Sequence, residues 1–127
     1  MTVDVGRVGE FIAAARIEMA GWSAVPATVG GVDLIAMHGA RVVRVQVKTR
    51  RRPTARGRYQ FPTFRGQHSR ALVSDDCDVV AFVALDIGRC LYRPVSDVRL
   101  KTTSISLLEM TAEAEAESFH KSFGVTK

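Results

Sequence analysis

The chain has 127 residues, which fits one domain and allows a hydrophobic core without disulfides or a structural metal. Hydrophobic residues make up 46% and charged residues 24% of the sequence, a composition that excludes an intrinsically disordered chain. The two cysteines form no CxxC motif and the first residues resemble no signal sequence, so we expect a soluble cytoplasmic protein with no membrane partner.

The positive charge is concentrated in one part of the chain. The formal net charge is +5, and the segment from Arg41 to Arg70 carries nine arginines and one lysine, 10 of the 18 basic residues, without any Asp or Glu. Because each neutralised phosphate releases counterions, such a segment favours a polyanionic partner. A solvated basic surface is the alternative interpretation.

The first predicted element is a helix over residues 7–20, which Gly21 ends in the usual C-terminal position. One apolar stripe at helical spacing is predicted to face the core: Val8, Phe11, Ile12, Ala15 and Met19. Glu10 lies off this stripe, so its carboxylate is free to approach a polar site.

Three strands are predicted next, over residues 22–28, 33–37 and 41–48, and Gly39 and Ala40 form a two-residue hairpin turn between the last two. Directly paired residues share a face of the sheet. The turn therefore pairs Asp33 with Gln46, and Lys48 joins them at the open end of the hairpin. The opposite face of the hairpin is predicted to be core: Leu34, Ala36, Val43, Val45 and Val47.

The rest of the chain is predicted to alternate loops with short strands. A loop over residues 49–58 leads to a strand at 59–61, and residues 66–76 fit either a helix or a loop. The apolar run 78–86 is typical of a central strand covered on both faces, with a partner strand at 89–94. A helical tail from about residue 106 begins with a possible capping box, SLLE. Its glutamates are predicted to form a solvated face, or to dock on the basic surface of a second subunit.

Asp33, Gln46 and Lys48 together have a recognisable chemistry. Hard divalent cations take oxygen ligands, which Asp33 and Gln46 supply and Glu10 can complete. Lys48 can orient a water molecule or stabilise charge on a phosphate. Each residue also has a plainer explanation: Asp33 ends a turn, Lys48 is a strand-edge charge, Gln46 is solvated, and Glu10 favours the helix dipole.

GE in the first helix, GVDLIA and VQVKTR resemble the PD-(D/E)xK nuclease superfamily, which includes restriction endonucleases and Holliday-junction resolvases. The similarity is to the small endonuclease-like branch in which glutamine replaces the usual acid of the (D/E)xK element. It covers residues 6–62 and the later apolar strand. It implies one restriction-endonuclease-like α/β domain over residues 1–127, with a central mixed sheet flanked by helices (αβββαβ-type).

The resemblance also implies a role for each residue of the site. Glu10 is the helix glutamate, Asp33 the metal aspartate, Gln46 the variable metal ligand and Lys48 the catalytic lysine. The implied activity is Mg²⁺- or Mn²⁺-dependent endonucleolytic hydrolysis of DNA, including structured or branched DNA, by a homo-oligomer that we expect to be a dimer. Downstream side chains are expected to contact the DNA: Arg44, Arg50, Arg51, Arg52, Arg56, Arg58 and Tyr59.

The glutamine at position 46 leaves other functions open. A neutral ligand holds a cation less tightly than a carboxylate does, so the chain could be a catalytically inactive nuclease-fold protein that binds nucleic acid or assembles a phage or mobile element. A third alternative is a small basic α/β protein whose partner is an acidic protein.

Overall fold

The computed structural model describes residues 2–65, 70–72 and 74–124. Its N-terminal half consists of helix α1 (Val5–Met19) and strands β1 (Ser23–Val29), β2 (Val32–His38) and β3 (Arg41–Arg50). Six further strands follow: β4 (Arg58–Pro62), β5 (Phe64–Arg65), β6 (Arg70–Ala71), β7 (Val79–Ala84), β8 (Arg89–Pro94) and β9 (Thr102–Ser106). Helix α2 (Ala112–Phe123) comes last, after two 3-10 turns at Val95–Asp97 and Leu107–Glu109.

The central sheet has five strands in the order β1-β2-β3-β7-β8. Strand β3 runs parallel to β7, and the other neighbouring pairs are antiparallel, so the sheet is mixed. The predicted fold class, a restriction-endonuclease-like α/β core with a central mixed sheet flanked by helices, is confirmed. The predicted αβββαβ order of elements is wrong: in the described residues no helix lies between β3 and β7, and the second helix lies at the end of the chain.

The two faces of the sheet have separate hydrophobic cores. On one face α1 and α2 pack over the central strands, with Ile17, Val45 and Phe119 among the buried residues. On the other face the β4–β9 pair covers β7, with Phe61 and Phe82 in contact. Every residue of β7 is buried, which confirms the predicted strand covered on both faces.

The predicted hairpin is confirmed in its register. His38 pairs with Arg41 and Leu34 pairs with Val45. Gly39 has φ +59°, a conformation that glycine adopts without strain, so this residue allows the tight turn. Strand β3 is longer than predicted, because residues up to Arg50 continue the parallel ladder with β7.

The predicted buried face of the first helix is wrong in part. Ile12 packs against the core as predicted, but Phe11 is 60% exposed and Met19 79% exposed, whereas Gly9 and Ile17 are buried. The physical reason is the close approach of α1 to the sheet: at Gly9 the helix backbone lies against the side chain of Thr49, where a larger residue has no space. The packed face is therefore rotated towards the side of the helix that carries Gly9.

The C-terminal segment differs from its prediction in two ways. The capping box of Ser106 and Glu109 is present, but it caps a 3-10 turn, and α2 begins only at Ala112 after its cap Thr111. The prediction that the glutamates of this helix are solvated is wrong for Glu115, which is 7% exposed. Its burial is possible because the carboxylate accepts a 2.8 Å hydrogen bond from Arg16 Nε. None of the described helices is long and apolar enough to cross a bilayer.

Candidate functional site

The open end of the β2–β3 hairpin brings Asp33, Gln46 and Lys48 to one face of the sheet. The register, continued one step beyond the pair Leu34–Val45, sets Asp33 opposite Gln46, and Lys48 follows two residues later on the same face. This face is the one opposite α1 and α2, since Val45 packs under the helices. Asp33 Oδ2 accepts a 2.8 Å hydrogen bond from the backbone N–H of Val47, which holds the carboxylate against β3.

Burial disfavours the charged forms of both Asp33 and Lys48. Desolvation raises the pKa of Asp33, and the Val47 N–H and the charge of Lys48 oppose the rise. Desolvation lowers the pKa of Lys48, and the charge of Asp33 opposes that fall. Each group thus stabilises the other's charge, but not enough to balance its partial removal from water. Perturbed pKa values with a specific charge partner are typical of functional sites.

Gln46 presents an unsatisfied acceptor at the same place. Its Oε1 atom is buried and has no hydrogen-bond partner among the described residues. A buried carbonyl oxygen without a donor costs about 1–3 kcal/mol, and such atoms in a folded protein call for an explanation. A bound cation would supply it.

Helix α1 lies on the other face of the sheet, but its Glu10 is within electrostatic range of Asp33. The pKa of Glu10 is raised by burial first and then by the negative charges of Asp33 and Asp4, whereas Arg7 lowers it. Asp33 and Glu10 are therefore close enough to repel each other. Gly9 and Thr49 allow α1 to approach the sheet closely at this point, and neither was predicted to do so. The signal in the sequence was a glycine inside a helix, directly before the glutamate.

The available donors fit a hard divalent cation. No three His, Cys, Asp or Glu side chains converge into a metal site in residues 2–65, 70–72 and 74–124. Asp33, Glu10 and Gln46 each offer an oxygen ligand to a cation. Mg²⁺ is commonly bound by only one or two carboxylates, with water and phosphate oxygens in the remaining positions.

The expected DNA-contacting arginines divide into two groups. Arg51, Arg52 and Arg56 are exposed and make no hydrogen bond or ion pair to the described residues. Arg51 and Arg52 line a surface cleft of about 520 Å³ together with Leu85 and Asp86. The others are partly engaged within the protein: Arg50 Nε donates to Gln60 O at 2.5 Å, and Arg58 Nε donates to Ser104 Oγ at 2.6 Å.

Two of the residues expected to contact DNA are engaged within the protein. Arg44 pairs with Asp78, with an Nη2–Oδ1 distance of 2.9 Å, and donates to the carbonyl of Ser74. The basic segment is therefore not wholly uncompensated, since an acid beyond its end pairs with it. Tyr59 is 1% exposed and donates a 2.8 Å hydrogen bond to Asp86 Oδ1, so its ring belongs to the core and cannot stack on a base.

The chain is similar to known nucleases in sequence and in fold. The sequence model of the PD-(D/E)XK endonuclease family matches residues 2–123. The solved structure of a bacterial homing endonuclease, I-Ssp6803I, superposes with a TM-score of 0.69 at 17% identity, covering 80% of this chain and 75% of that one. A comparison with functionally curated proteins finds no match. Because the family model spans both helices and the whole central sheet, this chain belongs to the PD-(D/E)XK endonuclease family.

Proposed function

We propose that this endonuclease-family chain is a metal-dependent enzyme that hydrolyses phosphodiester bonds in DNA at the site formed by Glu10, Asp33, Gln46 and Lys48. The observation that carries the proposal is the buried, unpartnered Oε1 of Gln46 on the face that holds Asp33 and Lys48. A surface hairpin without a ligand has no need of such an atom.

Asp33 and Gln46 would hold Mg²⁺ or Mn²⁺, with Glu10 as the further carboxylate. When bound, such an ion polarises the phosphodiester and lowers the pKa of water. The hydrogen bond from the Val47 N–H leaves the other oxygen of the Asp33 carboxylate without a protein donor and fixes its orientation. The repulsion between Asp33 and Glu10, which raises the pKa of Glu10, is relieved by a cation that they share.

Lys48 would act on the phosphate. Its side chain is partly buried and feels the charge of Asp33, and the low local dielectric strengthens the interaction of its amino group with an anion. As a cation it stabilises the negative charge that builds up on the phosphate oxygens as the bond to the leaving group breaks. As a hydrogen-bond donor at Nζ it also orients the attacking water.

DNA is the proposed substrate because free positive charge lies downstream of Lys48. Arg51, Arg52 and Arg56 have no partner in the described chain, and unpaired exposed arginines bind phosphates without reading sequence. The similar solved structure is named as a homing endonuclease, which agrees with this substrate. We further propose a dimer, which would present two sites to one duplex and which light scattering would detect by its mass.

The second candidate is a nuclease-fold DNA-binding protein without catalysis. Gln46 favours it, since a neutral oxygen replaces the carboxylate that would otherwise bind the cation more tightly. Both candidates would bind DNA through the free arginines, and only the first would cleave it.

One experiment separates the two candidates. The protein is incubated with supercoiled, linear and four-way-junction DNA in Mg²⁺, Mn²⁺ or EDTA, alongside Asp33→Ala and Lys48→Ala. Glu117→Ala and Lys121→Ala are the matched controls, because both residues are exposed on α2, which packs on the other face of the sheet. Metal-dependent cleavage that is lost in the site variants and kept in the controls supports the enzyme. Salt-sensitive binding without cleavage in any metal supports the second candidate, and absence of binding at low salt overturns both.

A further inference from the structure

A second cavity lies between the two helices, on the face of the sheet opposite Asp33, Gln46 and Lys48. It has a volume of about 320 Å³. We call it the α1–α2 cavity; its main lining side chains are Arg16, Met19, Tyr92, Glu115, Phe119 and His120. The proposed nuclease mechanism uses none of them.

The charged groups of the α1–α2 cavity leave donors free. Glu115 is satisfied within the protein: its carboxylate accepts from Arg16 Nε at 2.8 Å and lies 4.0 Å from Arg89 Nη1. Arg16 uses only its Nε atom in this pair, and its two terminal amino groups bind no other described residue. One carboxylate between two guanidinium groups gives the cluster a net positive charge.

Two buried polar atoms of the cavity lining have no nitrogen or oxygen partner among the described residues. Tyr92 is 2% exposed, and its buried hydroxyl has only the Cys90 thiol as a neighbouring polar group. His120 Nδ1 is also buried and makes no hydrogen bond to a described residue. Because a thiol is a weak acceptor, the Tyr92 hydroxyl loses most of the hydrogen bonding that it has in water. Burial also raises the pKa of Tyr92, so the hydroxyl keeps its proton and remains a donor.

We propose that the α1–α2 cavity binds a small organic anion, a carboxylate or phosphate attached to an apolar body. The free amino groups of Arg16 and the hydroxyl of Tyr92 are donors suited to an anionic oxygen. Met19 and Phe119 supply apolar walls for the rest of the ligand. The volume lies at the lower end of the range for small-molecule sites. Because this site is on the helix-covered face, its ligand is separate from the DNA substrate.

Nuclear magnetic resonance titration of the full chain tests this proposal without DNA or metal. The probes are benzoate and phenyl phosphate, with benzamide as the uncharged counterpart of benzoate. Either anion should shift the amide signals of Ala112 and Ala116, which line the cavity, and the shifts should saturate. Benzamide should bind at least about tenfold more weakly, since it cannot form a charge-assisted hydrogen bond to Arg16. Which anion binds more tightly identifies the headgroup.

Substitutions at the predicted donors test where the anion binds. Tyr92→Phe should weaken binding of the preferred anion about tenfold while leaving the fold intact, because it removes only the hydroxyl, whose one neighbouring polar group is a weakly bonding thiol. Arg16→Gln should weaken binding further; if it fails to fold because Glu115 loses its partner, Tyr92→Phe decides. Lys121→Ala, an exposed cation on α2, is the control that should change nothing. Absence of saturable shifts, equal affinity for benzoate and benzamide, or unchanged affinity in Tyr92→Phe would overturn the proposal.

Discussion

Replacing Gly9 with alanine perturbs the point where α1 meets the sheet, one residue before Glu10. A Cβ atom built on Gly9 would overlap Thr49 Oγ1 and would lie 2.7 Å from Thr49 Cβ and 2.8 Å from Thr49 Cγ2. Thr49 cannot move away easily, because it lies within the parallel ladder of β3 with β7, where it pairs with Val83. Overpacking of this kind costs about 1–3 kcal/mol, and alanine recovers up to about 1 kcal/mol through its higher helix propensity. We therefore expect Gly9→Ala to lower the free energy of unfolding by about 1–2 kcal/mol.

The matched control is Gly6→Ala in the same helix. Its new Cβ would meet only Asp4 Oδ1, at an ordinary contact distance of 3.6 Å, so the helix propensity of alanine should stabilise the protein. Second substitutions at position 49 test the cause. Thr49→Gly removes all three atoms that collide, whereas Thr49→Ala keeps the Cβ at 2.7 Å, so glycine should rescue Gly9→Ala more completely than alanine does.

Urea denaturation of the single and double variants measures these differences. If Gly9→Ala is as stable as Gly6→Ala, or if Thr49→Gly does not rescue it, the close approach of α1 to β3 is not what holds the helix. Under the proposed function, Gly9→Ala should also reduce DNA cleavage relative to Gly6→Ala, because displacement of α1 carries Glu10 away from Asp33. Stability and cleavage are separate readouts, so either expectation can fail alone.

Three further variants test the site and its surroundings. Gln46→Glu should preserve or strengthen Mg²⁺ and Mn²⁺ binding in calorimetry, and loss of binding would contradict Gln46 as a ligand. Asp33→Asn should be more stable than the unchanged protein at pH 7 in EDTA, because burial raises the folded pKa of Asp33 above its ordinary value of 3.8. Below that ordinary value Asp33 is protonated in both the folded and the unfolded chain, so its full contribution to stability is present. This contribution is lost as the pH rises through the folded pKa, because a buried charge forms. The stabilities of the two proteins should therefore converge in acid urea denaturation, and a constant difference between them would refute the assignment. Tyr59→Phe should lose about 1 kcal/mol of stability with its hydrogen bond to Asp86 and keep its DNA affinity in fluorescence anisotropy. A weaker affinity at unchanged stability would return Tyr59 to the DNA interface.

The features that could be predicted from the sequence were those determined by neighbouring residues. The hairpin followed from the alternation in VRVQVK and from a glycine at the turn, and a slip of one residue would have buried the polar side chains. The register then placed Asp33, Gln46 and Lys48 on one face without any knowledge of the rest of the molecule.

The features that could not be predicted depend on partners distant in sequence. Arg44 is paired with Asp78, and Tyr59 with Asp86, which the sequence does not indicate in advance. Strand β9 was missed because TTSIS has only weak apolar alternation, and its pairing with β4 bridges more than 40 residues. The packed face of α1 was predicted only in part, because large apolar residues usually mark the buried stripe, whereas at Gly9 the backbone approaches Thr49 so closely that no side chain fits.

The plain explanations of the individual site residues fail on the position of β3 in the sheet. A lysine on an edge strand discourages aggregation, but β3 is the third of five strands, and at Lys48 it is paired with Phe82 of β7. An aspartate that only ends a turn would bond within it, whereas Asp33 reaches across to the N–H of Val47. Gln46 is not solvated, because its Oε1 is buried and unpaired. A disfavoured carboxylate, a disfavoured ammonium and an unsatisfied acceptor at one end of a central hairpin all reduce stability, and a cation and a phosphate bound between them would compensate all three at once.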